Sequence, residues 1–156
     1  MLNKLILFEE EDKDYILLES ENNIDYGIED LCNVINSVDC FVTMNSCQGS
    51  LHEEEKDNHC PKTYVDFYVL NHEYDIANNL FIALISEFGE CLNCTLNFRP
   101  DFDMIDDYTE ENGCVNLRYS IEFVNVNNWI EDSVVTIKKV VEFIKKYNIE
   151  HILGDK

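Results

Sequence analysis

Three stretches of the chain carry hydrophobic residues at the spacing of an amphipathic helix. They lie at 24 to 38, at 71 to 88, and from 127 or 128 onward. Asn71 is suited to cap the second predicted helix and Gly89 to end it. The apolar stripes consist of Ile24, Ile28, Leu31, Cys32, Ile35 and Val38, then Ile76, Leu80, Ala83, Leu84 and Phe88, and finally Ile130, Val134, Ile137, Val141 and Ile144.

Four further stretches have the patterns of buried or half-buried strands, at 40 to 44, 63 to 70, 91 to 98 and 115 to 123. The last of them alternates apolar and polar residues throughout. Near the N-terminus, "KLILF" and "YILLE" flank the charged segment "EEEDKD", which favours a strand pair, with a single helix as the alternative.

This mixture predicts an α/β (α+β) fold in which three amphipathic helices pack on a single mixed sheet. The chain of 156 residues is long enough for one sizeable core. It contains no Gly/Ser linker, internal repeat or low-complexity tract. We therefore expect residues 1 to 156 to form a single globular domain.

The charge of the chain narrows the classes of partner. Its 32 acidic and 11 basic residues give a formal net charge of −21. Such a surface repels phosphate backbones, so direct binding to nucleic acid is not expected. The same charge would attract a basic protein, which keeps open an acidic, DNA-mimicking inhibitor as an alternative function.

The N-terminal segment predicts the compartment. "MLNKLILFEEEDKD" breaks into acidic residues too early for a secretory signal, and no apolar run has the length needed to cross a bilayer. We expect a cytoplasmic protein that does not contact membranes. The seven cysteines are then expected to be reduced thiols.

The candidate site is a predicted loop at 43 to 50, "TMNSCQGS", which follows the strand "CFVTM". Turn-forming residues there would aim backbone N–H groups and short polar side chains into one pocket. A plain surface turn that buries a small cysteine is the alternative. The loop residues assigned to the site are Thr43, Asn45, Ser46, Cys47, Gln48 and Gly49.

The segment "IEDLCNVINSVDCFVTMNSCQG" resembles the tRNA wybutosine-synthesising methyltransferase family, whose third enzyme methylates a hypermodified guanosine. In that family a helix with "IN" near its end precedes "FTTSSCSGR". The matching positions here are Ile35, Asn36, Phe41, Thr43, Ser46, Cys47 and Gly49. A second similar segment is "YVDFYVLNHEYDIANNLFIALISEFGECLNC", and together the two cover about half of the chain.

This resemblance implies a related α/β domain in which the Ser-Cys-x-Gly loop lines the pocket; in the family that pocket serves a methyl donor and a tRNA base. Ser50 stands where the family has arginine, and the basic surface that tRNA requires is absent. We therefore do not carry over methyl transfer to tRNA. The "SC-x-G" and "YV-x-F" motifs are also similar to those of short phage and mobile-element proteins.

Metal binding and cysteine catalysis are the two other chemistries that the sequence suggests. Cys47, His52, His59 and Cys60 lie close enough in sequence to suggest a zinc site, but their spacing is not that of a zinc motif. Cys91 and Cys94 form a C-x-x-C that a strand would split between two faces. Catalysis by Cys47 would need a lowered thiol pKa, which the neighbouring acidic residues oppose. We expect no metal, no cofactor and no catalytic residue.

The sequence thus predicts a small acidic protein that sequesters a nucleotide-like molecule such as an immune signal. The resemblance to phage proteins implies that it is encoded by a virus. Tyr64 or Tyr68 would stack on the ligand, and Arg99 or Arg118 would bind a phosphate. The alternatives are an acidic inhibitor of a basic host defence protein and a methyltransferase-like enzyme acting on a small substrate. The sequence allows the protein to form homo-oligomers but does not predict an oligomeric state.

Overall fold

A four-stranded antiparallel sheet lies at the centre of the protein in the computed structural model, which describes residues 5–20, 24, 26–47, 62–100, 115–124 and 129–154. The strands are β1 (Phe41–Cys47), β2 (Thr63–Val69), β3 (Leu92–Pro100) and β4 (Val115–Phe123), in the order β1-β2-β4-β3. The helices are α1 (Lys13–Ser20), α2 (Glu29–Asn36), α3 (Tyr74–Phe88) and α4 (Trp129–Tyr147). The predicted mixed α/β fold with one sheet is confirmed.

The three predicted helices correspond to α2, α3 and α4. Most residues of their predicted stripes form the main core with one face of the sheet. Val134 was predicted wrongly as a core residue, since it is 37% exposed, and the side chain of Ile130 lies outside the described part of the chain. At its centre the ring of Phe67 lies 4.9 Å from that of Phe41, 5.8 Å from that of Phe81 and 5.7 Å from that of Tyr119. These contacts fix the positions of β1, α3 and β4 relative to β2. We call this side of the sheet the helical face.

A second, smaller core covers part of the opposite face. It contains Phe8, Ile16, Val42, Tyr68 and Leu70, contributed by the N-terminal segment, α1, β1 and β2. The Phe8 and Tyr68 rings stack with their centroids 4.4 Å apart. The covering elements leave the rest of that face to polar residues.

The N-terminal strand pair was predicted wrongly. Residues 15 to 19 lie within α1, while the first apolar run contributes an isolated bridge between Leu5 and Val115. The charged segment starts a helix instead of making a hairpin turn, because the Asp12 carboxylate accepts a hydrogen bond from the Glu9 backbone N–H at 2.8 Å. A carboxylate in this position satisfies an otherwise unpaired donor and favours helix initiation.

The strand at 40 to 44 was predicted too short. Asn45 and Ser46 form no turn, because β1 continues through them to Cys47 and pairs with β2. The register shifts between Thr43 and Asn45, so Met44 is accommodated as a bulge. Strand pairing here overrides the turn preference of asparagine and serine.

The connection from β2 to α3 also differs from the prediction. Asn71 does not cap the helix, which begins at Tyr74. Instead Asn71 and His72 have positive φ angles of 55° and 60°. Asn71 then accepts a hydrogen bond from the Glu10 backbone N–H through its side-chain oxygen, at 2.9 Å. This tight turn thereby ties the N-terminal segment to the sheet.

The end of α2 is held by two side chains. The Lys13 ammonium group donates to the carbonyl oxygens of Asn36, Val38 and Asp39 at 2.9, 3.0 and 3.3 Å, which gives these helix-end acceptors a charged partner. Burial lowers the pKa of Lys13. The Asn36 side-chain amide bonds both the Thr43 backbone N–H and the Thr43 hydroxyl, each at 2.8 Å. These contacts fix the direction in which β1 leaves the helix.

None of the helices among the described residues has both the length and the apolar composition needed to span a membrane.

We predict that Asn36→Ala lowers the free energy of unfolding by about 2 kcal/mol, because it leaves two Thr43 groups without their partner in a buried position. Urea denaturation measures the change. Asn33→Ala is the matched control, since Asn33 lies on the same helix with an exposed side chain. Equal losses in the two variants would contradict the assigned role of Asn36.

Candidate functional site

Polar side chains occupy one face of the sheet on all four strands. Directly opposite residues in paired strands share a face, so the strand register assigns each side chain to a side. We call the surface opposite α2, α3 and α4 the polar face. Its residues are Asn45, Cys47, Tyr64, Asp66, Tyr68, Asn93, Thr95, Asn97, Arg99, Asn116, Arg118, Ser120 and Glu122.

The centre of the polar face is a row of four residues, one from each strand: Asn45, Asp66, Ser120 and Thr95. Asp66 is 6% exposed, and its carboxylate accepts a hydrogen bond from the Ser120 hydroxyl. Burial raises the pKa of Asp66, while Ser120 and the two arginines act in the opposite direction. Asp66 is thus a desolvated acceptor whose protonation depends on its surroundings.

Both arginines of the chain lie on the polar face, on adjacent strands. Arg118 is opposite Asn97 and Arg99 is opposite Asn116, which makes the two arginines diagonal neighbours, roughly 7 Å apart at the backbone. The Arg118 Nε donates to the Asn116 Oδ1 at 3.1 Å, and the Asn116 Nδ2 donates to the Tyr68 hydroxyl at 3.1 Å. This chain of hydrogen bonds orients the Arg118 guanidinium group.

The two predicted stacking residues have different environments. Tyr68 is fully buried beneath Phe8, with its hydroxyl bonded to Asn116. Its ring is therefore part of the smaller core and is not exposed to a ligand. Tyr64 is half-buried on the polar face, between Cys47 on β1 and Glu122 on β4. Of the two tyrosines, Tyr64 alone is partly exposed, and it lies four residues along the sheet from Arg118.

The predicted site at 43 to 50 is divided by the strand. Asn45 and Cys47 lie on the polar face, whereas Thr43 and Ser46 lie on the helical face. Thr43 is 2% exposed, and Asn36 binds both its backbone N–H and its hydroxyl, so it stabilises the strand. Cys47 is buried. Gln48 and Gly49 lie outside the described residues, so their predicted roles stay predictions.

Sequence reasoning missed Thr95 in the central row and the three hydrogen-bonded residues of β2 and β4: Asp66, Asn116 and Ser120. Asp66, Asn116 and Ser120 could have been found from the strand patterns. They occupy polar positions that alternate with apolar ones in "TYVDFYVL" and "VNLRYSIEF". Polar residues that alternate with core residues on a central strand share one face, and a buried face must supply them with partners. The register then shows which of these residues are neighbours.

Thiol and metal chemistry finds little support. Burial raises the pKa of Cys94 to about 12, so this thiol stays protonated at neutral pH. Within the described part of the chain no group of three His, Cys, Asp or Glu side chains could hold a metal ion. His52, His59 and Cys60, which entered the zinc hypothesis, lie outside that part.

A groove of about 470 Å³ lies on the other side of the molecule, between α3 and α4. Its walls combine acidic, basic and aromatic side chains from Glu87, Phe88, Lys138, Lys139, Glu142, Phe143 and Lys146. On α4, Lys145 forms an ion pair with Glu142 at 3.2 Å, and Lys146 forms one with Glu150 at 3.9 Å. The groove contains neither arginine and none of the predicted site residues.

Comparison with protein-family models, curated proteins and solved structures finds no match for this chain. The relation to the wybutosine-synthesising methyltransferase family therefore stays a prediction that depends on the quoted motifs.

We predict that Asp66→Asn raises the urea midpoint at pH 7 and has little effect near pH 3. The raised pKa means that, from about pH 3.8 upward, the folded protein holds a proton that the unfolded chain releases. Stability therefore falls as pH rises through this window, and asparagine removes the loss while keeping an acceptor for Ser120.

The matched control for this prediction is Glu87→Gln, which removes one exposed carboxylate from the same highly acidic protein. Any general gain from lowering the net charge appears in both variants. A pH-dependent gain of the same size in the two proteins would contradict a specific effect of Asp66.

Proposed function

We propose that this protein binds a small, nucleotide-like anion on the polar face and sequesters it without chemical change. The observation that supports this most directly is that the only two arginines in a chain of net charge −21 are diagonal neighbours on one face. Paired guanidinium groups can hold a phosphate through several parallel hydrogen bonds. Arg99 is exposed, so it is free to turn toward a ligand.

The neighbouring residues supply contacts suited to a nucleoside. In the central row the exposed side chains of Asn45 and Thr95 offer an amide and a hydroxyl that can pair with the edge of a base. Tyr64 offers a ring face for stacking, a contact that tolerates any base. Tyr64 lies opposite Glu122, so a ligand that contacted both Tyr64 and Arg118 would have to extend roughly 13 Å along the sheet, at about 3.3 Å per residue.

Sequestration fits this surface better than catalysis. Cys47 is buried, and the Thr43 hydroxyl is already bonded to Asn36, so two residues of the methyltransferase-like motif are engaged in the fold. The biological form of the proposal is a virus-encoded sponge for a nucleotide immune signal in the cytoplasm of the host. A related methyltransferase acting on a small substrate is the enzymatic alternative, and product formation would reveal it.

We predict that Arg99→Ala weakens binding of the ligand about tenfold or more, which corresponds to about 1.4 kcal/mol. Native mass spectrometry of the protein purified from cells identifies a retained ligand. Calorimetric titration with mononucleotides, cyclic mononucleotides and cyclic dinucleotides then gives the affinities. Lys138→Ala is the control, because it removes one positive charge on the far side of the molecule. Unchanged affinity in Arg99→Ala would contradict the proposed site.

The net charge of −21 favours a second candidate, an acidic inhibitor that occupies the basic groove of a defence protein. Its binding should weaken steeply between about 0.05 and 0.2 M salt and should survive Arg99→Ala. A pull-down with the wild type and Arg99→Ala, at both salt concentrations, separates the two functions. Loss of the partner in Arg99→Ala at low salt would exclude the charge-driven inhibitor.

A further inference from the structure

The two edges of the sheet differ in regularity. β1 and β3 are the outer strands of the described sheet. β1 is interrupted by the bulge at Met44, whereas β3 pairs with β4 over nine consecutive positions without a register shift. Bulges protect an edge from pairing with another strand, and a long regular edge invites such pairing. Of the two outer strands that the structure describes, β3 is therefore the better suited to pair with another strand.

Within the described part of the chain, β3 makes no backbone hydrogen bond to any element other than β4. No described residue therefore pairs with the outward row of N–H and C=O groups along β3. Large apolar side chains accompany it, since Leu96 is 46% and Phe98 is 68% exposed on the helical face. On α3, which packs against β3, Ile82 and Ile85 are also exposed.

The absence of acidic residues along this edge favours a second copy of the same chain as its partner. Two molecules of net charge −21 repel each other unless their contact surface lacks carboxylates. β3, from Leu92 to Pro100, contains no acidic residue and one arginine, and the stretch from 76 to 86 on α3 contains no acidic residue. In a contact made through β3 and the middle of α3, these stretches therefore bring no carboxylate of their own against another copy.

We infer that two copies of the chain pair antiparallel through β3 and form a continuous eight-stranded sheet. With the two-fold axis at Leu96, position 94 of one copy faces 98 of the other, and 93 faces 99. Cys94 then meets Phe98 on the helical face, and Asn93 meets Arg99 on the polar face. The apolar and polar sides of β3 are thus both self-complementary.

The dimer has a geometric consequence for the polar face. A two-fold axis perpendicular to the sheet leaves the polar faces of both copies on the same side. The two pairs of arginines then belong to one extended surface that runs across the interface. The inference stands apart from the proposed function, because it uses the edge of β3 and requires no ligand.

Leu96→Lys tests the pairing, because it places two lysines directly opposite each other at the two-fold axis, where like charges destabilise strand pairing. Leu18→Lys on α1 is the matched control, since Leu18 is 66% exposed and the charge change is identical. Phe98→Lys is a second test at a more exposed position of the same strand. Circular dichroism and urea midpoints verify that each variant is folded.

Sedimentation velocity and light scattering across a dilution series give the molecular mass. We expect wild type and Leu18→Lys at twice 18.3 kDa, and Leu96→Lys and Phe98→Lys at 18.3 kDa. Raising the salt concentration should strengthen the wild-type dimer, because it screens the repulsion between the two acidic copies. A monomeric wild type at all concentrations and salt levels would overturn the inference. A dimer that survives both β3 substitutions would overturn it as well.

Discussion

The burial of β2 on both faces is the constraint on which the rest of this structure depends. On the helical face Phe67 lies at the centre of the aromatic cluster, and the other face buries Asp66 and Tyr68. A buried polar group costs free energy unless it is hydrogen-bonded. β4 supplies these partners, because Ser120 bonds Asp66 and Asn116 bonds Tyr68. The polar pattern of β4 is thus a requirement of the fold before it is a feature of a site.

The arginines follow from the same constraint. Asp66 sits in a position where burial penalises its charge, and the positive field of Arg118 and Arg99 offsets part of that penalty. Arg118 is also held by Asn116, which is itself bonded to Tyr68. One network therefore serves two ends: it satisfies the buried side of β2 and fixes a guanidinium group at the surface.

Much of the fold could be predicted from the sequence, because three helices and three of the strands have strong periodic patterns. The segment at 15 to 19 was assigned wrongly because its apolar run is too short for its periodicity to distinguish a strand from a helix. The helix is favoured by the hydrogen bond between the Asp12 carboxylate and the Glu9 backbone N–H. Asn45 and Ser46 were assigned to a turn on propensity, which pairing with β2 overrides.

The candidate site was less predictable, because it depends on strand order. Arg99, Arg118 and Tyr64 were selected by residue type, but nothing in their spacing shows that they share one face. That result needs β2 and β3 to lie on either side of β4 and needs the register of both pairings. Non-local pairing of this kind cannot be read from the periodicity of a single strand.

The charge of the whole molecule sets a further limit on how an anion could bind at the polar face. Beyond about 8 Å at physiological salt the field of the protein is screened, and the net charge of −21 makes what remains of it repel an anion. An anionic ligand is therefore not steered toward Arg99 and Arg118 from a distance, so a slow association rate is expected. Under the proposed function, affinity would therefore come from short-range contacts with Arg118, which Asn116 orients, and with Arg99, and hence from slow release of the ligand.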